Sequence, residues 1–290
     1  MSGAVLHRVR AYASLVKLSH SVFAMPFALL SLLVASDGAP SLRLVLLVVL
    51  AVVAARTAAM SFNRYADRQL DADNPRTQSR EIPSGVVSPA SALMLTAVGG
   101  ASFLLVCWLL SPMCFVLGLP TLAWLLGYSY AKRFSSLCHL WLGVALGISP
   151  IAAWFAVDGA FGPRLYAPLV LGASVALWVA GFDVLYACQD DDFDRQRGLR
   201  SLPVLLGRRG AMWVSRALHV LAPIGFLAFG WMTGLRQVYL AGVVLAAGLL
   251  IWQHRLLRPN DLSRIQAAFF TANGSLAVVM FAAGCVDLYL

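Results

Sequence analysis

The sequence predicts an all-α integral membrane protein with about nine transmembrane helices. Its 290 residues are 60% hydrophobic and only 12% charged, whereas soluble domains are nearer 45–50% apolar and about 25% charged. The apolar runs recur along the whole length and do not form a single hydrophobic segment. Because a bilayer core of about 30 Å needs roughly 20 apolar residues per helix, this pattern indicates a polytopic protein.

Nine windows of suitable length and composition follow one another along the chain. They lie near 17–36, 42–66, 88–110, 112–130, 138–157, 166–189, 210–232, 237–256 and 263–288. The connections after odd-numbered windows are short and nearly featureless, whereas those after even-numbered windows are longer and more polar. We therefore expect most of the chemistry on one side of the membrane.

The basic residues define which side that is. All but four of the 22 Lys and Arg lie in the N-terminal segment or at or near the connections after spans two, four, six and eight; the exceptions are Arg43, Arg56, Arg164 and Arg236. This asymmetry follows the positive-inside rule, so the polar connections should face the cytoplasm of a cell inner membrane. The net charge of +9 is then a topology signal, and no nucleic-acid partner is expected.

Cysteine and histidine give no sign of a metal or disulfide framework. The five cysteines include no Cys-x-x-Cys pair, and the five histidines have no metal-ligand spacing. We expect all ten to be small apolar or weakly polar packing residues.

An acidic stripe ends the second span. Asn63, Asp67 and Asp71 stand at i, i+4 intervals, so on a helix they share one face. Carboxylates one turn apart repel each other. The stripe is therefore either solvated or neutralised by cations.

A second stripe ends the sixth span. Asp183, Tyr186, Asp190 and Asp194 follow one another at intervals of three, four and four residues. Asp67 to Asp190 and Asp71 to Asp194 are both separated by 123 positions. We expect one domain, 1–290, made of two similar halves, roughly 1–135 and 136–290. If the helices converge, four carboxylates surround one point, and hard oxygen ligands of this kind suit Mg²⁺. The alternative is a solvated acidic rim.

Basic residues stand next to the acidic stripes. Arg64, Arg80, Lys132 and Arg133 lie closest to the motifs or to span ends. Arginine and lysine beside a metal are the usual means of holding a diphosphate. The alternative for each residue is ordinary loop charge on the cytoplasmic side.

Arg56 lies inside the second span, seven residues before Asn63 and on the same face. Such a residue is costly in a membrane and usually lines a functional cavity. A substrate carboxylate would suit it, and an ion pair with Asp183 is the structural alternative.

These segments resemble a known family. Residues 55–71 with 74–85 closely resemble the first signature of the UbiA superfamily, and Asp183 to Asp194 resembles the second. Tyr128 to Arg133 is similar to its basic loop, and His20 to Phe27 also fits. The run Asp190-Asp191-Asp192 departs from the pattern and leaves open whether Asp191 also contacts metal.

The resemblance implies nine transmembrane helices around a central cavity with cytoplasmic cap loops. It also implies Mg²⁺-dependent transfer of a polyprenyl group from an allylic diphosphate to an acceptor, often aromatic. The residues that would hold Mg²⁺ and the diphosphate are Asn63, Asp67, Asp71, Asp190 and Asp194, with Lys132 and Arg133 neutralising phosphate. Arg56 would meet the acceptor carboxylate. As a separate hypothesis about the mechanism, Asp183 or Asp191 would take the phenolic or ring proton.

The resemblance favours an acceptor such as 4-hydroxybenzoate and a role in quinone synthesis. A carboxylated naphthoate precursor of menaquinone is an alternative, because it also offers a carboxylate to Arg56. From another class, a cation- or proton-coupled transporter would also explain acids and an arginine among the spans. The expected partners are polyprenyl diphosphate, the aromatic acceptor and membrane lipid.

Overall fold

The computed structural model describes residues 11–17, 21 and 23–290, and these residues are almost entirely helical. Twelve helices follow one another after a short helix at 11–15. They are α1 (Met25–Ala35), α2 (Leu42–Ala66), α3 (Arg68–Asp73), α4 (Pro89–Leu110), α5 (Pro112–Gly127), α6 (Ala131–Phe134), α7 (Cys138–Asp158), α8 (Tyr166–Ala187), α9 (Asp191–Gln196), α10 (Leu202–Thr233), α11 (Gln237–Leu256) and α12 (Ala272–Leu288). Within the described residues the sole β interaction is an isolated bridge between Arg258 and Asp261.

Eight segments of the described chain are long and apolar enough to cross a membrane, which confirms the polytopic all-α prediction. The predicted first span is shorter than expected, because its described helix α1 has only 11 residues. Positions 18–20 and 22 of that span, and with them His20 of the family resemblance, lie outside the described residues.

The helix that corresponds to the seventh predicted span, 210–232, begins earlier, at Leu202. The Ser201 side chain accepts a hydrogen bond from the Val204 amide, so it caps the start of α10, and a proline follows in the first turn. At Gly207 the backbone leaves the helix with φ 70° and ψ 166°. Arg208 and Arg209, directly after Gly207, interrupt the apolar run, so a hydropathy window did not include the first turns of α10.

Two compact units divide the chain. The first contains the described residues of Met1–Ser21 together with Leu50–Tyr130, and the second contains Val22–Val49 with Ala131–Leu290. The division into halves at 135 and 136 stays a prediction.

In the first unit, residues from both sides of the first motif share a small apolar core. Leu15 and Val16 pack there with Ile82, Val87 and Ala92. The loop after α3 is thus tied to the N-terminal segment and to the start of α4 by burial of apolar surface. This packing holds together the segments on either side of the first motif.

In the second unit, helices α7 and α8 pack backbone against backbone. A Cβ on Gly143 would lie 2.2 Å from the carbonyl oxygen of Ala176, and one on Gly147 would lie 2.3 Å from that of Gly172. Small residues at four-residue spacing allow such close approach in membrane proteins. The contact brings the start of α7 close to the part of α8 that carries Asp183.

Candidate active site

The first motif lies where α2 gives way to the six-residue helix α3. Helix α2 ends at Ala66, and Asp67 adopts φ −95° and ψ 6° between the two helices. The amide of Asp67 still donates to the Asn63 carbonyl, and that of Asp71 to the Asp67 carbonyl. The predicted i, i+4 stripe therefore persists through the break. The Asn63 side-chain amide donates to Asp67 Oδ2 at 2.9 Å, so the stripe is itself hydrogen-bonded.

Asp71 is the buried end of this stripe. Its Oδ1 accepts from Arg80 Nη1 at 2.7 Å. Its Oδ2 is buried and has no hydrogen-bond partner among the described residues. A buried carboxylate oxygen without a partner is costly. The arrangement suits a ligand or a cation at Oδ2.

The second motif repeats this local geometry in the other unit. Helix α8 ends at Ala187, and Asp190 adopts φ −110° and ψ 5° before the six-residue helix α9. Asp194 is the buried fourth residue of α9, as Asp71 is of α3. In each motif, then, one aspartate occupies the sparsely populated bridge region, where active-site residues are often found, and the next is buried one turn later.

Each buried aspartate also has a cationic partner. Lys132 Nζ lies 3.0 Å from Asp194 Oδ2, as Arg80 lies against Asp71. The Lys132 side chain keeps a third of its surface exposed, whereas Asp194 is only 3% exposed. The Arg200 amide donates to the Lys132 carbonyl and so fastens the loop after α9 to the loop before α7. Arg133, the neighbouring predicted ligand, is exposed on α6.

Arg56 holds the N-terminal segment of the first unit. Its Nε and Nη2 donate to the Lys17 carbonyl at 3.1 and 2.9 Å. Lys17 has a left-handed backbone, with φ 49°. Its pKa is below the ordinary value, because burial and the nearby Arg64 charge both disfavour the ammonium form.

Arg64 forms an ion pair that the sequence did not indicate. Its Nε lies 3.7 Å from Glu81 Oε2, and the Arg64 side chain is only 3% exposed. The Ser14 hydroxyl donates to the other oxygen of Glu81. Burial alone would raise the pKa of Glu81, but the Ser14 hydrogen bond and the charges of Arg64 and Lys17 outweigh it and hold that pKa below its usual range.

Asp183 pairs with a histidine that we had expected to be a packing residue. His139 Nδ1 lies 2.7 Å from Asp183 Oδ2, and the two residues are 44 positions apart in the sequence. His139 is 1% exposed, whereas Asp183 is 16% exposed. Tyr186, one turn further along α8, packs its ring against Phe269 with centroids 4.3 Å apart.

Asp191, the additional acid of the second motif, belongs to a separate ion pair. Arg208 Nε and Nη2 donate to its two oxygens at 2.8 and 2.7 Å. A bidentate arginine satisfies both carboxylate oxygens in one plane. Asp191 therefore has a structural partner at the start of α10.

The chemistry of the motifs fits a magnesium ion. Among the described residues no three His, Cys, Asp or Glu side chains are grouped closely enough to hold a metal by themselves. Mg²⁺, however, commonly takes only one or two carboxylates and completes its shell with water and substrate phosphate. The unpartnered Oδ2 of Asp71 offers such a carboxylate oxygen.

Comparison with known proteins places the chain in a family. Residues 24–275 match the model of the UbiA prenyltransferase family. A 4-hydroxybenzoate octaprenyltransferase of Vibrio cholerae is 31% identical over 272 residues, which cover 92% of this chain and 93% of the relative. A 4-hydroxybenzoate octaprenyltransferase of Aromatoleum aromaticum is 32% identical over 89% of this chain and 86% of its own length.

Solved structures share the fold. An apo UbiA homologue from Aeropyrum pernix K1 matches with a TM-score of 0.84 and 34% identity over 92% of this chain and 98% of that protein. A UbiA homologue from Archaeoglobus fulgidus, bound to DMAPP and Mg²⁺, matches with a TM-score of 0.68 and 17% identity over 96% and 99%. The repeated aspartate motifs, the helical membrane fold and these matches lead to one conclusion: the chain is a multi-pass membrane protein that belongs to the UbiA prenyltransferase family.

Proposed function

We propose that this protein transfers a polyprenyl group from an allylic polyprenyl diphosphate to 4-hydroxybenzoate or a closely similar aromatic acid, in quinone biosynthesis. The observation that carries the proposal is the pair of matched aspartate motifs, each with a buried carboxylate beside a cation. The 4-hydroxybenzoate octaprenyltransferases that cover most of the chain support the choice of acceptor.

The aspartates serve the diphosphate through a divalent metal. Asn63, Asp67 and Asp71 are the proposed ligands in the first motif, and Asp190 and Asp194 those in the second. Mg²⁺, when bound, supplies positive charge that stabilises negative charge on the departing oxygens. The unpartnered Asp71 oxygen and the DMAPP- and Mg²⁺-bound homologue of the same fold support this assignment.

The cationic side chains stabilise the leaving group. In the reaction the C–O bond to diphosphate breaks, and its electron pair goes to the diphosphate oxygen. Lys132, Arg133 and Arg80 are proposed to contact these oxygens, because a preorganised cation acts most strongly where charge develops. Lys132 and Arg80 are already held in place by their aspartate partners, so little reorganisation is needed. Arg64 supports the site through its ion pair with Glu81.

Arg56 is proposed to bind the acceptor carboxylate. Its Nε and Nη2 are held by the Lys17 carbonyl, while among the described residues Nη1 has no such bond. A guanidinium fixed in this way can present its remaining donors to a carboxylate without losing side-chain freedom on binding. The aromatic ring would then be oriented towards the prenyl carbon.

The membrane location follows from the charge asymmetry. We propose that the protein resides in a bacterial inner membrane with both motifs facing the cytoplasm. Polyprenyl diphosphate could then bind with its head group at the cytoplasmic surface and its tail in lipid.

The test uses purified full-length protein in detergent with geranyl diphosphate and Mg²⁺. Each reaction contains either 4-hydroxybenzoate or 1,4-dihydroxy-2-naphthoate, with and without EDTA, and products are identified by mass spectrometry. We expect EDTA-sensitive prenylation of the benzoate. Prenylation of the naphthoate alone would replace the acceptor and keep the reaction. Absence of diphosphate consumption with both acceptors would overturn the proposal and favour a transporter.

A further inference from the structure

Asp183 and the buried His139 form a pair that binding of metal and diphosphate does not explain. Asp183 lies seven residues before Asp190 in the second motif. Its hydrogen bond to His139 is its only one among the described residues, and part of its side chain stays exposed. The Lys132 ammonium, which pairs with Asp194, also interacts electrostatically with Asp183. The carboxylate therefore belongs to the same charged cluster as the second motif.

The hydrogen bonds of His139 indicate which ring nitrogen faces which partner. The Leu202 amide lies 3.3 Å from His139 Nε2, and an amide N–H can only donate. Nε2 is therefore the acceptor, so the ring hydrogen resides on Nδ1 and is donated to Asp183 Oδ2. The Leu202 amide is also one of the first-turn donors of α10 that have no partner within their own helix. The ring is thus fixed from both sides.

The His139–Asp183 hydrogen bond is not needed to hold α7 and α8 together. Helices α7 and α8 are already in backbone contact at Gly143 and Ala176. The other motif acid that could accept a proton is Asp191, but both its oxygens are occupied by Arg208. Asp183 instead keeps an accessible carboxylate whose orientation is set by a histidine.

We infer that Asp183 is the proton acceptor of the transfer reaction and that His139 is the residue that positions it. The inference rests on the proposed function. When the prenyl C1 forms a bond to the ring carbon ortho to the hydroxyl, that carbon must lose its hydrogen for the ring to regain aromaticity. The C–H electron pair returns to the ring, the proton passes to Asp183, and it then leaves to water through the exposed side of the carboxyl group. The Nδ1–H group of His139 donates to the carboxylate throughout.

Two substitutions of His139 separate its two hydrogen bonds. In His139→Asn the amide nitrogen can take the place of Nδ1 and still donate to Asp183. In His139→Gln the amide oxygen can take the place of Nε2 and accept from Leu202, but the donor to Asp183 is lost. We expect His139→Asn to retain most of kcat and His139→Gln to lose about 10²-fold, the lower range of general-base contributions. KM for both substrates should stay unchanged.

The deciding readout is the isotope effect with 4-hydroxybenzoate deuterated at both carbons ortho to the hydroxyl. Proton removal is slowed in His139→Gln, so its isotope effect on kcat should exceed that of the wild-type protein. Equal losses in the Asn and Gln variants, or an isotope effect unchanged in Gln, would overturn the inference and leave His139 a packing residue.

A third variant keeps the inference testable if His139→Gln fails to fold. Asp183→Asn retains an acceptor for the His139 hydrogen and removes the basic charge. It should bind geranyl diphosphate with Mg²⁺ as the wild-type protein does and form almost no product. Product formation at the wild-type rate would refute the role of Asp183. A wild-type protein that prenylates no hydroxybenzoate would instead refute the proposed function itself, so the two failures are distinguishable.

Discussion

The backbone contact between α7 and α8 makes a sharp prediction for Gly143→Ala. The added Cβ would lie 2.2 Å from the Ala176 carbonyl oxygen, whereas ordinary contact begins at 3.4 Å. Because the obstacle is backbone and not the end of a flexible side chain, the two helices must move apart locally by roughly the 1 Å that separates these values.

The size of the effect follows from two opposing contributions. Overpacking of a tight contact costs about 1–3 kcal/mol. Alanine in a helix interior is favoured over glycine by about 0.5–1 kcal/mol, which offsets part of that cost. We therefore expect a net loss of about 0–2.5 kcal/mol in the free energy of unfolding, with a midpoint slightly above 1 kcal/mol.

A matched control is available at Gly248 in α11, where a Cβ would meet nothing within 4 Å. Gly248→Ala should gain about 0.5–1 kcal/mol from helix propensity alone. Thermal unfolding in detergent measures both variants, at about 2–4 °C in Tm per kcal/mol. Gly143→Ala should melt below the wild-type protein and Gly248→Ala slightly above it. A Gly143→Ala variant as stable as Gly248→Ala would refute the close helix contact.

Three further predictions concern single ion pairs. Lys132→Ala should lower kcat/KM for the prenyl diphosphate by at least about 10-fold, because it removes the cation beside Asp194. Lys132→Arg, which restores a cation there, should recover part of the loss. Steady-state kinetics measures both variants. Arg208→Ala should lower Tm but leave KM for both substrates unchanged, because it leaves the buried Asp191 unpaired without touching the proposed ligands. The folded protein holds the pKa of Glu81 below its ordinary value of 4.5, so the Glu81 carboxylate stabilises the fold above that pH. This stabilisation is lost as the pH falls through the pKa of Glu81 in the folded protein. The Tm of Glu81→Gln should therefore fall less on acidification than that of the wild-type protein.

The membrane helices could be predicted because they require only a sufficiently long run of apolar residues along the sequence. A span needs about 20 apolar residues, and eight predicted windows correspond to helices of the structure. The spacing of Asn63, Asp67 and Asp71 likewise indicated a shared face, and the backbone hydrogen bonds preserve it. The sequence did not indicate that a helix break falls at Asp67, because its bridge-region backbone depends on how α3 packs.

The contacts that the sequence missed are tertiary. His139 and Asp183 are 44 positions apart, and Arg64 and Glu81 are 17 positions apart (81 minus 64). No periodicity relates such residues, since each pair meets only after separate segments have packed together. From the sequence, a single histidine in an apolar span was therefore interpreted as a packing residue. Its hydrogen bond became apparent only from the positions of α7 and α8.

The central claim is that the motif aspartates carry the diphosphate chemistry, and conservative substitution tests it most directly. Mg²⁺-dependent diphosphate release in the presence of 4-hydroxybenzoate should be measured for Asp71→Asn and Asp194→Asn. Asp261→Asn, at an exposed loop position outside both motifs, serves as the control. We predict at least about a 10²-fold loss of turnover in each motif variant, at near wild-type Tm, and wild-type turnover in the control. Turnover within about threefold of the wild-type protein in either motif variant would contradict the claim.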